Sequence, residues 1–209
     1  MMNSQNVYSK IGNFTRLYDF LSSLVGYKDS VKYFVSQLPF SEDEYLNVLD
    51  AGCGTGVYST TVLKRFKNAK VVAFDLNPKL TNFFKARLVQ HNYEHRIDVF
   101  LADITKELTE LQDKKFDLII AAGVLEHVPI EETVRNLSRF LVKEGWFFNS
   151  PVKDSNWGRF ICKLYACKPY GNRNVTAFEQ NGFKLYKVID VPRSPAASFK
   201  EAYIFQKLN

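Results

Sequence analysis

The feature that most constrains this chain is the segment from Val48 to Gly56, which reads VLDAGCGTG. Its apolar first residues predict a short buried strand, and the run from Val57 to Phe66 predicts a helix. Between them, glycines stand at every second position. A strand, a glycine-rich turn and a helix open the nucleotide-binding units of α/β folds, where a ligand lies against backbone and helix N–H groups. The segment therefore predicts an α/β protein that holds a nucleoside-type ligand at this turn.

The spacing of the glycines narrows the class of ligand. A dinucleotide-binding turn needs its third glycine where this chain has Val57, which argues against an NAD-dependent dehydrogenase. The Gly-Lys-Ser/Thr sequence of a phosphate loop is also absent. Asp50, at the end of the predicted strand, would repel a phosphate and attract a cation. A nucleoside with a positively charged amine and no phosphate, such as S-adenosylmethionine, fits these constraints.

The nine-residue segment resembles the first motif of the class I S-adenosylmethionine-dependent methyltransferases. The resemblance covers about residues 46–209, is strong through residue 150 and is topological after that. It implies a Rossmann-like, doubly wound, seven-stranded sheet that is mostly parallel with an antiparallel last strand. It also implies S-adenosylmethionine as cofactor, bound through Asp50, Gly52, Cys53, Gly54 and Gly56.

A second predicted strand, Lys70–Asp75, also ends in an acid. Asp75 lies about 20 residues beyond the glycine turn, where an acid bonds the two ribose hydroxyls of a nucleotide, and its two oxygens can accept from both. The resemblance adds Leu76 to the cofactor contacts. The alternative is that Asp75 caps the helix that starts near Pro78, since aspartate is favoured at that position too.

The third and fourth predicted strands place further residues at the same sheet edge. Asp103 follows the strand from Ile97 to Ala102; in the family an acid here accepts from the adenine amino group, and Ile104 suits the ring contact. The alternative is a turn aspartate. The fourth strand, 116–123, ends in small residues, and Ala121 there leaves room for the methionine part of the cofactor.

The sequence of the fourth strand and the residues after it, FDLIIAAGVLEHV over 116–128, resembles the family's fourth motif. His127 is a candidate general base because its unperturbed pKa of about 6.5 suits neutral pH. The alternative is a packing role between strand and helix, and many relatives with different chemistry share a histidine here. A helix is predicted from about Ile130 to Val142, with the fifth strand starting at Trp146.

Residues 1–45 are predicted to form a helical cap in front of the cofactor-binding core, 46–151. The pair Tyr18-Asp19 resembles the Tyr-Asp found before the core in ubiquinone/menaquinone-biosynthesis-type methyltransferases, whose N-terminal helices form part of the cofactor lid. The resemblance therefore makes Tyr18 a candidate cofactor contact. The alternative is a cap that only covers one sheet face.

Residues 152–174 contain a predicted amphipathic basic helix, inserted after the fifth strand, where the resemblance implies a substrate lid. Apolar residues recur there at helical spacing, and basic residues flank them. Three hypotheses stay open: a lid over the substrate, a helix on a membrane surface through residues 156–166, or a structural cover. Cys162 and Cys167 are predicted to be inert residues of this helix.

Composition sets the remaining bounds. The chain has 209 residues, 46% of them apolar and 24% charged, which suits one soluble domain that closes with a helix and strand pair over 175–209. A net charge of +6 does not require nucleic acid, and none is expected as a partner. Three cysteines without C-x-x-C spacing suggest a cytoplasmic protein with neither disulfides nor a metal site.

The function predicted from these patterns is methyl transfer to a small-molecule or lipid-like acceptor at O, N or C. Two alternatives stay open: a module that binds the cofactor without transferring the methyl group, and a methyltransferase acting on protein or RNA. The Asn/Asp-Pro-Pro-Tyr motif of many enzymes that methylate base amines is absent at the fourth strand, which disfavours nucleic-acid amino groups.

Overall fold

The computed structural model describes residues 27–165, 167, 173–190 and 200–208. A seven-stranded sheet of order β3-β2-β1-β4-β5-β7-β6 forms the centre of this part of the chain. Strands β1 to β5 pair in parallel, and β7 lies antiparallel between β5 and β6. The strands are β1 (Asn47–Ala51), β2 (Lys70–Asp75), β3 (Ile97–Leu101), β4 (Phe116–Ala122), β5 (Leu141–Ser150), β6 (Phe183–Asp190) and β7 (Glu201–Lys207). The predicted doubly wound fold is confirmed.

Helices cover both faces of the sheet, as the alternation of strand and helix patterns predicts. They are α1 (Tyr27–Ser36), α2 (Val57–Arg65), α3 (Pro78–Gln90), α4 (Ile130–Ser138), α5 (Asn156–Tyr165) and α6 (Arg173–Glu179), with a 3-10 turn at Leu125–His127. No helix in the described ranges is long and apolar enough to cross a bilayer.

Successive residues of the central strands point into two different cores. Val48 and Leu118 pack on the face covered by α1, α2 and α3, whereas Leu49 and Ile119 pack on the face covered by α4 and α6. All four are fully buried. This two-sided burial explains why the strands read as continuous apolar runs.

The order of the strands creates a topological switch point between β1 and β4. From β1 the chain runs outward to β2 and β3, then returns across the sheet to β4 on the other side of β1. The connections after β1 and β4 therefore leave in opposite directions. In open α/β sheets, ligands bind at this switch point, beyond the carboxyl ends of the strands.

The predicted boundary between α4 and β5 is wrong. The helix ends at Ser138, and Leu141 already pairs with Phe116 of β4, before an irregularity shifts the register to Leu118 and Trp146. Glu144 has a φ of 58° at this irregularity. Leu141 extended the apolar spacing of the helix, but its backbone bonds to the sheet instead.

The structure describes only part of the predicted N-terminal cap. The second predicted helix is α1, which buries Val31, Phe34 and Val35 against the sheet. The first predicted helix and Tyr18 lie outside the described residues.

Candidate cofactor site

The glycine turn after β1 has the backbone shape that its glycines permit. Gly52, Gly54 and Gly56 have φ angles of 77°, 54° and 76°, in the left-handed region that other residues avoid. The N–H groups of Gly52 and Cys53 both donate to the Phe74 carbonyl of β2 at 2.9 Å. The turn is thus bound to the neighbouring strand, and α2 begins directly after Gly56.

The three glycines differ in what surrounds them. A Cβ on Gly52 would lie 2.7 Å from Val124, and one on Gly56 would overlap the ring of Phe84. A Cβ on Gly54 would have no described atom within 4 Å. Gly52 and Gly56 therefore serve close packing, whereas Gly54 faces open space where a ligand can lie against the backbone.

Asp50 is buried at the end of β1, with 2% of its surface exposed. Its Oδ2 accepts from the Ser59 hydroxyl at 2.5 Å and from the Ser59 N–H at 3.1 Å. Burial, together with the smaller effect of the Asp75 charge, raises the pKa of Asp50 to about 6, although the hydrogen bonds from Ser59 act in the opposite direction. Ionisation of Asp50 in the folded protein therefore costs free energy, and a nearby cation would offset this cost.

This raised pKa predicts a stabilising substitution in the ligand-free protein. The unfolded chain releases the Asp50 proton from pH 3.8 upward and the folded chain only near pH 6, so stability is lost as the pH rises between these values and stays lost above. We expect Asp50→Asn, whose side-chain oxygen can still accept from Ser59, to add up to about 3 kcal/mol to the free energy of unfolding at pH 8 and about half of that at pH 5.

Urea unfolding at the two pH values measures this effect, with Asp98→Asn on the exposed side of β3 as the matched control. A gain that is equal at both pH values, or a loss of stability at pH 8, would contradict the assignment of Asp50 as a strained acid.

Asp75 follows at the end of β2 and contacts the glycine turn itself. Its Oδ2 accepts from the Gly54 N–H and its Oδ1 from the Asn77 N–H, both at 2.9 Å. Burial raises the pKa of Asp75. The cap of α3 is Asn77, whose side chain accepts from the Lys79 N–H at 3.0 Å, so Asp75 is not the helix cap. A carboxylate has about four acceptor positions, which leaves two for a ligand.

Asp103 lies in the turn after β3. Its Oδ1 accepts from the N–H and the hydroxyl of Thr105, at 2.9 and 2.7 Å, and these bonds hold its pKa below the usual value. The turn role considered for this residue is thus observed. Leu76, beside Asp75, is 60% exposed at the same edge, whereas Ile104 is buried in the core.

The carboxyl ends of β4 and β5 carry a buried ion pair that sequence reasoning missed. Lys200 donates to the Ser150 carbonyl at 3.1 Å, and its Nζ lies 3.9 Å from Glu126 Oε1. The same Glu126 oxygen accepts from the Val152 N–H at 2.8 Å, while Oε2 has no hydrogen-bond partner among the described residues. Ala121, fully buried on β4, lies four residues before the start of the 3-10 turn that holds Glu126. A glutamate next to the candidate histidine was the only sequence signal for this pair.

His127 lies on that 3-10 turn and is partly buried. Burial lowers its pKa, and the charge of Glu126 acts in the opposite direction. The imidazole is therefore neutral at neutral pH, which is the form that can accept a proton.

The predicted amphipathic helix is present as α5, but two members of its apolar stripe face solvent. Trp157 and Phe160 are 43% and 50% exposed and stack at 5.3 Å between ring centroids. Gly158 and Cys162, on another side of α5, are buried. The part of the chain with described coordinates holds no group of three or more His, Cys, Asp or Glu arranged for a metal ion.

Comparison with known proteins agrees with this geometry. Residues 48–145 match the family described as "Methyltransferase domain". The malonyl-[acyl-carrier protein] O-methyltransferase 1 of Ilyobacter polytropus is 31% identical over 88 residues, which are 42% of this chain and 30% of the relative. The match thus spans about a third of that relative's length.

Two solved structures share the fold. A geranyl diphosphate methyltransferase in complex with S-adenosylmethionine has a TM-score of 0.71 at 16% identity, over 87% of this chain and 85% of its own. The [4+2]-cyclase SpnF has a TM-score of 0.74 at 14% identity, over 99% of this chain and 97% of its own. Over residues 48–145, the glycine turn, the order of strands β1 to β4 and the family match together indicate a class I S-adenosylmethionine-dependent methyltransferase domain.

Proposed function

We propose that the chain binds S-adenosylmethionine at the glycine turn and transfers its methyl group to a small-molecule or lipid-like acceptor. The observation that carries the proposal is the set of acids at the carboxyl ends of β1, β2 and β3, of which Asp75 accepts from the N–H of the open Gly54. Fold alone does not carry it, since one fold hosts many activities.

Electrostatics favours a cationic ligand at this position. Asp50 and Asp75 are both largely buried, burial raises the pKa of each, and the charge of Asp75 also disfavours ionisation of Asp50. The pyrophosphate of a dinucleotide would add negative charge to the same site. A ligand with an ammonium group and no phosphate would relieve the repulsion, which supports the methyl donor over a dinucleotide.

The proposed roles follow the positions of the side chains. Asp50 would hold the amine of the cofactor, Asp75 the ribose hydroxyls and Asp103 the adenine amino group. Leu76 and Ile104 would flank the adenine ring, Leu76 from its exposed position and Ile104 through a small shift out of the core. The remaining proposed contacts are Gly52, Cys53, Gly54, Gly56, Ala121 and Tyr18.

The bound cofactor would supply a methyl group on a sulfonium, whose departure leaves a neutral thioether. The task of the chain is then to orient the acceptor in line with that methyl group and to exclude water, which can contribute roughly 7–11 kcal/mol. If the acceptor carries a proton in its ground state, the neutral imidazole of His127 would accept it.

A second candidate function is cofactor binding without methyl transfer. The [4+2]-cyclase SpnF, which shares the fold over nearly its whole length, supports this candidate, because its name describes a reaction other than methyl transfer. Intact acids at the three strand ends support binding in both cases and do not separate the two functions.

A methyl-transfer assay on fractionated cell extract, with a labelled methyl donor, tests the proposal. We expect one fraction to become labelled with the wild type and not with Asp75→Ala, and His127→Gln to lower the rate without changing donor affinity if His127 is the base. Donor binding with no label in any fraction would favour the second candidate. Absence of donor binding would contradict both.

The exposed aromatic pair of α5 supports a further part of the proposal, contact with an anionic membrane surface that presents a lipid-like acceptor. Trp157 and Phe160 lie beside exposed Arg159 and Lys163, a combination found in helices that lie in the bilayer interface. Arg159 is paired with Asp154 at 2.8 Å, so Lys163 provides the less compensated charge. A cytoplasmic location remains the proposed setting.

Flotation with vesicles of phosphatidylcholine and phosphatidylserine measures this contact. We expect the wild type to float and Trp157→Ser/Phe160→Ser to lose roughly tenfold or more of its partitioning, because each buried aromatic contributes about 1.5–3 kcal/mol. Tyr45→Ser, which removes an aromatic exposed to 83%, is the matched control. No flotation of the wild type, or equal flotation of both variants, would refute membrane contact.

A further inference from the structure

The C-terminal end of α5 brings two cysteines together. Cys162 lies within the helix, and Cys167 lies two residues beyond its last residue, Tyr165. The N–H of Cys167 donates to the Cys162 carbonyl at 3.0 Å, which turns the chain back on the helix end. The two Sγ atoms are 2.6 Å apart, and both residues are free thiols. The prediction that both are inert helix residues is therefore wrong for the position of Cys167.

The two thiols differ in access and share one electrostatic environment. Cys162 is 3% exposed, whereas Cys167 is partly accessible. The charges of Glu126 and Lys200 act on both thiols, which places the pair next to the buried ion pair at the ends of β4 and β5. The pair thus lies near the 3-10 turn that carries Glu126 and the candidate base His127, which we call the acceptor side of the site.

We propose that Cys162 and Cys167 form a reversible intrachain disulfide when hydrogen peroxide oxidises the protein. The sulfur of Cys167, which is more accessible, attacks the peroxide: an S–O bond forms, the O–O bond breaks and water leaves. The sulfur of Cys162 then attacks Cys167: the S–S bond forms, the S–O bond breaks and a second water leaves. Two electrons pass from the sulfurs to the peroxide, and a dithiol reductant reverses the change by exchange.

The environment of the pair predicts slow formation and slow reversal. Burial raises the pKa of both thiols, so little thiolate is available to attack the peroxide at neutral pH. The same property makes each sulfur a poor leaving group when a reductant attacks the disulfide. Once formed, the disulfide therefore persists at the C-terminal end of α5 until a reductant slowly removes it.

Peptide mapping tests the cross-link on the full chain. Lys163 lies inside the loop that the disulfide closes, so trypsin cuts the oxidised loop and leaves peptide 160–163 bonded to the peptide that begins at Leu164. We expect this linked pair after treatment with hydrogen peroxide, its loss on reduction, and its absence in Cys162→Ser and Cys167→Ser. Cys53→Ser, which removes the third cysteine, should keep it.

The result that would overturn the inference is oxidation of Cys167 to a sulfenic or sulfinic acid without linkage, or linkage to Cys53 or to a second chain. This readout needs neither cofactor nor acceptor, so its failure is distinguishable from failure of the proposed function.

The effect on activity rests on the proposed function. We expect oxidation to lower methyl transfer severalfold in the wild type, to leave donor affinity unchanged and to have no effect on Cys162→Ser. An equal loss in the wild type and in this variant would refute the coupling between the cysteine pair and the acceptor side.

Discussion

Replacement of Asp75 with alanine should weaken binding of S-adenosylmethionine and S-adenosylhomocysteine by roughly two to four orders of magnitude. Hydrogen bonds to a charged group contribute about 1.5–3 kcal/mol each, and the proposed ribose contact has two of them. Titration calorimetry measures the loss for both ligands. Unchanged affinity in the variant would refute the ribose assignment.

The design must separate loss of a ligand contact from damage to the turn, because Asp75 also accepts from the Gly54 N–H. Asp75→Asn keeps one oxygen for that bond and removes the charge, so we expect a smaller loss of affinity. Asn77→Ala removes the cap of α3 without touching the ribose position, at a cost of about 1 kcal/mol in stability. If this control weakens donor binding as much as Asp75→Ala does, the effect lies in the turn.

The second large effect is expected at Gly56, in the stability of the fold. Alanine there must adopt a left-handed φ, which costs about 1–2 kcal/mol, and its Cβ overlaps the buried ring of Phe84. Overpacking adds about 1–3 kcal/mol. Together these costs approach the total stability of a marginal domain, about 5 kcal/mol, so Gly56→Ala should unfold at much lower urea concentration.

Gly54→Ala is the matched comparison within the same turn. It carries the same left-handed cost but meets no described atom, so we expect a folded protein that is destabilised by only about 1–2 kcal/mol. Its Cβ would stand in the space assigned to the cofactor, and donor affinity should fall sharply. Equal stability of the two variants, or full donor binding by Gly54→Ala, would contradict the division of roles among the glycines.

A double variant isolates the steric part of the Gly56 effect. In Gly56→Ala/Phe84→Leu, the smaller side chain makes room for the added Cβ, so the two costs should not add. If the double variant loses at least as much free energy of unfolding as the two single variants lose together, overlap with Phe84 is not the cause.

Local patterns predicted the strands and the acids at their ends because both depend on short-range rules. An apolar run buried on both faces and closed by an acid reads the same in sequence and in structure, as β2 ending at Asp75 shows. The boundary at Leu141 could not be read in this way. Its spacing fits a helix, while the bonds that make it a strand go to Phe116, which is distant in sequence.

The buried face of α5 was also beyond sequence reasoning. The apolar stripe left open whether Trp157 and Phe160 face the protein or a membrane surface; both are exposed, and the small residues Gly158 and Cys162 are buried. A Cβ on Gly158 would collide with the Lys153 carbonyl, so close approach of the backbone decides which side of the helix packs inward.

By itself, the sequence determined the cofactor turn, because a strand end, three glycines and a helix start are adjacent in the chain and act through local backbone geometry. Only the tertiary structure decided what surrounds the acceptor side. Lys200 reaches Ser150 and Glu126 from the far end of the chain, and Cys167 reaches Cys162 through a turn that helical spacing does not predict. The contacts of Lys200 depend on how β7 pairs with β5 beside β4, and no short stretch of residues encodes that pairing.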